Sequence, residues 1–296
     1  MALSDRLLSR PAQGEKPDVP PLLVLIVAST QTLAEDAQAK PQVLFSNVHV
    51  FDGINDARIE NANVLVEGNL IKQVSTDPIE APDATIIDGG GRTMIPGLID
   101  AHWHTYYCCI PQTALVTGDM SEVAIRGALG SEETLLRAFT TVRDVGGNPF
   151  SVKKMIDAGE LVGPRILPSG PPTSQTSGHF DFRGVNDVPA NMTDPKSYWE
   201  RNAVILTADG VPEVVKRARE VLRLGATQIK IATGGGVSSQ FDPLDVQQYT
   251  FDEIKAFVDV AETWNTYVAA HVFSDKAIQT SIKAGVKSIE HGFLSQ

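Results

Sequence analysis

The chain has 296 residues, of which 42% are hydrophobic and 21% are charged, an ordinary globular composition with enough length for one large domain or two smaller ones. Its formal net charge of -11 argues against a nucleic-acid partner, which would need a basic surface, and is compatible with an enzyme of small molecules. The only two cysteines, Cys108 and Cys109, are adjacent in sequence. This adjacency rules out a CxxC-type zinc site and argues against a disulfide framework.

The first 39 residues have the order of a secretory signal peptide. Basic residues precede an apolar run over 20–30, and Ala37 and Ala39 then form an A-x-A cleavage site. The apolar run is too short to span a bilayer. We therefore expect residues 1–39 to be a leader and the protein to be periplasmic or secreted. A mis-assigned start or a disordered leader is the alternative, because the region before the apolar run is long and contains acidic residues, and the protein would then be cytoplasmic.

Residues 40–93 contain short alternating apolar runs separated by turns, as in VLFSNVHVFDG, ANVLVEGNLIKQVS and ATIIDGGG. A period of two is typical of strands with one buried face. The residues EGN at 67–69, between two such runs, predict a β-hairpin. This segment is therefore predicted to be a small β-domain before the main body.

Residues 94–296 change to short β-like runs separated by helical segments, the pattern of repeated βα units around a parallel sheet. Six strands are predicted, at residues 97–102, 141–144, 165–168, 228–232, 267–271 and 288–291. The segment 169–210 is rich in Pro, Gly, Asn and Asp and is predicted to be a long loop over the mouth of an active site.

Three helices are well marked within these units. Thr250 and Glu253 have the spacing of a capping box at the start of one helix, and another begins at Ser274. The third begins near Pro212 and ends at Gly225. Its predicted buried face consists of Val214, Val215, Ala218, Val221 and Leu222.

Potential metal ligands occur at the carboxyl ends of four predicted strands. They are His102 and His104 in GLIDAHWHT, Lys230 in IKIATGGG, His271 in VAAHVF and His291 in IEHGF. Alternate residues of a strand share a face, so His102 and His104 can serve one ion. Taken singly, each histidine could be a hydrogen-bonded core residue, and Lys230 could pair with a carboxylate or extend to solvent. In an αβ barrel, however, catalytic groups from different strands converge at this end.

The chain resembles the amidohydrolase superfamily. MIPGLIDAHWH is similar to the first-strand motif of that family, in which Pro-Gly leads into Asp-x-His-x-His, and the upstream segment IIDGGGRT belongs to the same pattern. TTVRDVGG, GPRILPSGPPTSQTSGHFDFRG, GATQIKIATGGGVSS and AAHVFSDKAIQTSIKAGVKSIEHG resemble the branch with Xaa-Pro dipeptidases and ochratoxinase, with imidazolonepropionase more distant. The resemblance implies an α/β fold, a (β/α)8 TIM-type barrel over 94–296, with a small N-terminal β-sandwich domain over 40–93.

The same resemblance implies two divalent metal ions, with zinc favoured. His102 and His104 would hold the more buried ion, His271 and His291 the outer one, and Lys230, carboxylated by CO2, would bridge them. An unmodified lysine is a cation that repels metals, whereas its carbamate is an anion with two oxygen atoms. A hydroxide shared by two metals hydrolyses amides without a protein nucleophile.

Further residues have expected supporting roles. His179, in TSGHFDF, occupies a position that related dipeptidases use near the scissile carbonyl, so a hydrogen bond to the oxyanion is expected; an ordering role in the loop is the alternative. Asp100 is expected to support the metal site from behind its ligands, and Arg143 with Asp144 to form an ion pair. The glycines of TGGGVSS are expected where backbone approaches substrate closely, because the segment lacks the ending of a phosphate loop.

The sequence stops at Gln296, soon after the sixth predicted strand, although a full barrel takes about 250 residues from its first strand. We therefore expect an incomplete barrel without strands seven and eight, and without the eighth-strand aspartate of the family. The leading hypothesis is a hydrolase of carbon–nitrogen bonds in small substrates such as dipeptides or N-acyl amino acids. The alternatives are a mononuclear cyclic-amide hydrolase or deaminase and a non-catalytic metal-binding fragment. The expected partners are a small-molecule substrate and a second copy in a homo-oligomer, with no nucleic acid and no membrane span.

Overall fold

The computed structural model describes residues 40–111, 118–189 and 194–294. The expected leader over 1–39 lies outside these residues. Among the described segments, no helix is both long enough and apolar enough to cross a membrane. The chain divides into two compact units, whose described parts are 40–49 with 59–92 and 50–58 with 93–294.

The first unit is built on one four-stranded sheet. Its strands are β1 (Gln42–Val50), β2 (Ile59–Glu67), β3 (Leu70–Ser75) and β4 (Thr85–Met94), in the order β3-β2-β1-β4. The predicted hairpin is confirmed, because β2 and β3 pair antiparallel and Gly68 takes the positive φ of 62° that its tight turn requires. The described residues hold one sheet of this unit, so a sandwich of two sheets stays a prediction.

In the second unit parallel strands alternate with helices. The strands are β5 (Leu98–Trp103), β6 (Phe139–Asp144), β7 (Arg165–Pro168), β8 (Thr173–Ser174), β9 (Leu206–Thr207), β10 (Ile229–Ala232), β11 (Val268–Ser274) and β12 (Ser288–Leu294). The helices are α1 (Met120–Leu136), α2 (Phe150–Asp157), α3 (Tyr198–Arg201), α4 (Gly210–Arg223), α5 (Phe251–Thr263) and α6 (Asp275–Ala284). The six predicted strands are all present, as β5, β6, β7, β10, β11 and β12.

The strands form two sheets, in the orders β5-β6-β7 and β12-β11-β10-β8-β9. Every pairing within these sheets is parallel, so the carboxyl ends of neighbouring strands lie at the same edge. This is the α/β architecture that the sequence predicts. Closure into a barrel, and the number of strands that it takes, stays a prediction.

The prediction of a single long loop over 169–210 is wrong in part. The described residues of this segment include β8, β9 and α3, and Thr173 of β8 pairs with Ile231 of β10. Thr173 and Ser174 are completely buried. Two-residue strands are too short to show a periodic pattern, and pairing with β10 holds them in place.

The main core lies between the sheet of β10 and β11 and the helices α4 and α5. Phe257 and Ile254 of α5 are fully buried beside Ile229 and Ile231 of β10. The predicted apolar face of α4 is confirmed, since four of its five residues are buried and Val215 is partly buried against the same cluster. The predicted cap of α5 is also present, because the Glu253 carboxylate accepts hydrogen bonds from the N–H and the hydroxyl of Thr250, both at 2.8 Å.

Candidate metal and catalytic site

The side chains of six sequence-predicted site residues line one cavity of about 250 Å³. They come from β5 and the residue after it, from β10, β11 and β12, and from the segment after β8, and they are His102, His104, His179, Lys230, His271 and His291. Parallel pairing places β10, β11 and β12 side by side in one sheet, and β5 of the other sheet meets them through the contact of His102 with Glu290. Aromatic residues complete the wall, at Phe180, Phe273 and Phe293.

The five imidazole rings form a continuous chain of contacts. The centroid of His102 lies 5.2 Å from that of His104 and 4.6 Å from that of His291. The ring of His291 lies 4.7 Å from His271, which stacks on His179 at 3.8 Å with an angle of 12° between the planes. The two predicted histidine pairs are therefore side by side.

The ring of His104 packs against a neighbouring aromatic ring. It stacks on Tyr107 at a centroid distance of 5.1 Å. Burial, together with the charges of Lys230 and His102, holds the pKa of His104 well below its usual value. The backbone of Gly146 lies beside the ring and opposes this shift, but among the described residues no group reaches hydrogen-bond geometry at the buried Nδ1 atom.

The Lys230 side chain is almost completely buried, with 1% of its surface exposed. Within the described segments its Nζ atom makes no hydrogen bond, and no carboxylate lies within ion-pair distance. Burial lowers the pKa of Lys230 to about 8, and the positive charge of Arg143 contributes, although Glu290 and Asp144 oppose the shift from a distance. The predicted alternatives of a carboxylate pair or an exposed lysine are therefore not what the structure shows.

The histidines of β11 and β12 and the loop histidine are held neutral at pH 7. Burial lowers the pKa of His271 to about 2, with further contributions from His179 and Lys230. Partial burial, His102 and Lys230 lower the pKa of His291 to about 4. Burial and Lys230 likewise lower the pKa of His179 to about 4, against the opposing charge of Asp242.

The backbone at His291 is strained. Its φ is 80°, a left-handed value that residues with a Cβ rarely adopt, and Gly292 follows at 67°. Consecutive residues of a regular strand point to opposite faces. The strain at His291 breaks this alternation, so Glu290 and His291 both reach the ring of His102.

Two glycines after β10 lie tightly against neighbouring segments, and the predicted approach of their backbone to substrate stays a prediction. A Cβ on Gly236 would lie 2.0 Å from Cε1 of His179, and one on Gly235 would lie 1.8 Å from the carbonyl oxygen of Pro243. The carbonyl oxygen of Gly235 contacts Nε2 of His271 at 3.0 Å. Only glycine fits at these two positions without a displacement of the loop.

The donor chemistry of this cluster fits a divalent metal ion. Neutral imidazole is the form of histidine that binds zinc, and four of these histidines are held neutral at pH 7. Within the described residues, no three His, Cys, Asp or Glu side chains have their donor atoms gathered in the geometry of a metal site. Nε2 of His271, for example, is directed to the backbone at Gly235. The ligand set therefore stays a prediction.

Sequence reasoning missed Glu290, and it placed Arg143 wrongly. Among the described residues, Arg143 makes its ion pair with Glu290, with 2.6 Å between Nη2 and Oε1, and not with Asp144. Asp144 is buried and accepts hydrogen bonds from the backbone N–H groups of Thr105 at 2.6 Å and Gly146 at 3.0 Å. Glu290 also contacts Nδ1 of His102 at 2.6 Å. A charged residue directly before a strand-end histidine is the signal that could have identified it.

Asp100 and Asp242 support the two predicted functional segments. Asp100 accepts a hydrogen bond from the backbone N–H of His102 at 2.9 Å, a contact consistent with its expected role. Asp242, which the sequence did not single out, lies 3.5 Å from Nδ1 of His179. The same nitrogen contacts the hydroxyl of Ser239 at 2.8 Å.

A second cavity of about 470 Å³ shares His104 and Ser238 with the first. Its other lining residues include the apolar and aromatic side chains of Tyr107, Ile110, Phe182 and Phe241 and the ion pair of Asp181 with Arg183. The histidine cavity therefore adjoins a mainly apolar space large enough for a small organic side chain.

The chain belongs to the amidohydrolase family, whose model matches residues 93–296. Ochratoxinase from Aspergillus niger is 32% identical over 283 residues, which are 90% of this chain and 56% of that protein. The predicted family and branch are thereby confirmed. The chain spans about half the length of this curated relative.

Solved structures that are similar to this chain include two from the same branch of the family. A prolidase in complex with N-methylphosphonate-L-proline is 38% identical, with a TM-score of 0.79 over 86% of this chain and 62% of that one. A Xaa-Pro dipeptidase with methionine in its active site is 28% identical, with a TM-score of 0.73 over the same shares.

Proposed function

We propose that this chain forms the metal-binding and catalytic part of a hydrolase that cleaves amide bonds in small substrates such as dipeptides or N-acyl amino acids. The observation that carries the proposal is the convergence of four neutral or hydrogen-bonded histidines, Lys230 and His179 on one cavity. The relatives support it, because ochratoxinase, a prolidase and a Xaa-Pro dipeptidase lie in the same family.

In the proposed site His102 and His104 would hold one divalent ion, His271 and His291 would hold a second, and carboxylated Lys230 would contribute to both. Bound metal would supply a hydroxide at neutral pH and polarise the scissile carbonyl. Carboxylation forms an N–C bond between neutral Nζ and CO2, with loss of one proton from the nitrogen. The lowered pKa of Lys230 raises the neutral fraction of the amine, to roughly a tenth at pH 7.

His179 is proposed to bind the substrate carbonyl. If the Ser239 hydroxyl donates to Nδ1, the ring proton stays on Nε2, where it can donate to the developing oxyanion. The oxyanion contact therefore requires the Ser239 hydroxyl to donate to Nδ1, although the Asp242 carboxylate 3.5 Å away favours a proton on that nitrogen. The larger adjoining cavity is proposed to take the apolar side chain of the substrate.

The test is metal stoichiometry with and without Lys230. The chain purified with zinc and bicarbonate should carry two metal ions, and growth in 13C-bicarbonate should give a carbamate signal by NMR. Lys230→Ala should lose the carbamate signal and one metal. Lys72→Ala is the matched control, because Lys72 pairs with Glu67 on an exposed strand of the first unit and should change neither quantity. Two metals and a carbamate signal in Lys230→Ala would contradict the bridging role.

The substrate class is tested by the same preparation. Release of the carboxyl-terminal residue from Xaa-Pro dipeptides and from N-acyl amino acids should require the metal and should be lost in Lys230→Ala. A stoichiometry of one metal in the wild-type chain would favour the mononuclear cyclic-amide hydrolase. Two metals without hydrolysis of any substrate would favour the non-catalytic metal-binding alternative.

A further inference from the structure

The Glu290 carboxylate is buried at the end of the sheet and is bound at both oxygens. Oε1 accepts hydrogen bonds from Nη2 of Arg143 and from the Ser288 hydroxyl, both at 2.6 Å. Oε2 lies 2.6 Å from Nδ1 of His102. The charged guanidinium of Arg143 and the two further partners together favour the ionised form of this buried carboxylate.

Arg143 is itself fixed in place. Its Nε donates to the carbonyl of Ala101 at 2.6 Å, and its Nη1 donates to Ser288 at 3.0 Å and to the Tyr267 hydroxyl at 3.3 Å. Arg143 thus joins β6 to the residue before His102, to the start of β11 and to β12. The Glu290 carboxylate is therefore held by an arginine of β6 that also contacts β5, β12 and the residue before β11.

This contact has a direct consequence for His102. An ionised carboxylate accepts a hydrogen bond from Nδ1–H, so the neutral ring carries its proton on Nδ1 and its lone pair on Nε2. A carboxylate behind a metal-binding histidine fixes the orientation of the ring and raises its basicity. His102 then has a single nitrogen available for a ligand, beside the rings of His104 and His291.

We propose that Glu290, anchored by Arg143, is a positioning residue that keeps the Nε2 lone pair of His102 available for metal and so sets the affinity of the site. This inference rests on the proposed function, because it needs a metal to be bound there. The competing explanation is a structural ion pair that only joins the strands.

The test compares Glu290→Gln with the wild-type chain in three measurements. The Zn2+ affinity, from competition with a chromophoric chelator, should fall about 10- to 100-fold. The visible d–d absorption of the Co2+-substituted chain should change in position or intensity. In the metal-free chain, 15N NMR of the His102 ring should lose the tautomer with the proton on Nδ1.

Glu60→Gln is the matched control. Nδ1 of His49 and Oε2 of Glu60 form a similar pair at 2.5 Å in the first unit, so this variant removes a His–Glu contact without touching the cavity. It should leave Zn2+ affinity and the Co2+ spectrum unchanged. Arg143→Lys keeps the positive charge but loses the forked donor, and it should give an intermediate loss of affinity.

The outcomes separate the two proposals. A wild-type chain that binds no Zn2+ or Co2+ overturns the proposed function and this inference with it. Metal binding by the wild type that is unchanged in both Glu290→Gln and Arg143→Lys overturns only the role of Glu290. If Glu290→Gln does not fold, Arg143→Lys decides the question, and wild-type affinity in that variant rejects the positioning role.

Discussion

The buried carboxylate of Asp144 should make the stability of the fold depend on pH in a defined window. Asp144 ends β6, has no exposed surface, and accepts backbone N–H bonds from Thr105 and Gly146. Burial raises the pKa of Asp144 to about 6, although the hydrogen bonds and the charge of Lys230 oppose the shift. Burial is therefore the stronger effect, and the native state prefers the protonated acid.

The sign and size of this pH effect on the free energy of unfolding follow from the proton that Asp144 binds. Between its ordinary pKa of 3.8 and about 6 the folded chain binds the proton of Asp144 and the unfolded chain does not. The free energy of unfolding therefore falls as pH rises through this window, by about 3 kcal/mol in all. Asp144→Asn removes the titration but leaves one N–H facing an amide NH2, at a constant cost of about 1–3 kcal/mol.

The assay is urea unfolding of the metal-free chain from pH 4 to pH 7.5. The stability of wild type minus that of Asp144→Asn should decrease by about 3 kcal/mol across the window and level off above pH 6. Histidine titrations are common to both proteins and cancel in this difference. Asp157→Asn, at an exposed residue paired with Lys153, is the control and should follow the wild type. Parallel curves for wild type and Asp144→Asn would refute the reasoning.

Two further substitutions test the loop and the core. Gly236→Ala places a Cβ 2.0 Å from the His179 ring, so the ring must move, and we expect a lower kcat/KM for amide hydrolysis. In the control Gly159→Ala the Cβ meets nothing within 4 Å; its φ of 74° should lower stability, but kcat/KM should be retained. An unchanged kcat/KM in Gly236→Ala would show that the ring position is unimportant. Phe257→Ala empties a fully buried site between α5 and the sheet and should lower the free energy of unfolding by about 3–5 kcal/mol in urea. Phe251→Ala, at a residue that is 44% exposed, should cost much less, and equal losses would contradict the assigned core.

The elements that the sequence predicts well are those that carry their own periodic pattern. The buried strands β10 and β11 are short apolar runs, and α4 repeats apolar residues at helical spacing. Four of the site histidines follow from the same information, because each lies in or just after a predicted strand. Parallel pairing places His271 and His291 on neighbouring strands, whereas His102 and His104 lie in and directly after β5 of the other sheet.

The features that the sequence does not predict depend on contacts between distant segments. β8 and β9 have two residues each and exist through their pairing with β10 and with one another. Glu290 meets His102 across 188 positions and Arg143 across 147. The positive φ of His291 is equally invisible, because no glycine or asparagine marks that position.

The error at Arg143 is different, because a rule already in use would have prevented it. Alternate residues of a strand share a face, and this is the reason that His102 and His104 are assigned to one metal. The same rule puts the adjacent residues Arg143 and Asp144 on opposite faces of β6. Asp144 is then free to bind the backbone of Thr105 and Gly146, and Arg143 must find its carboxylate on another strand. That carboxylate belongs to Glu290 of β12, which the alternation rule permits but does not identify, and Glu290 also contacts His102.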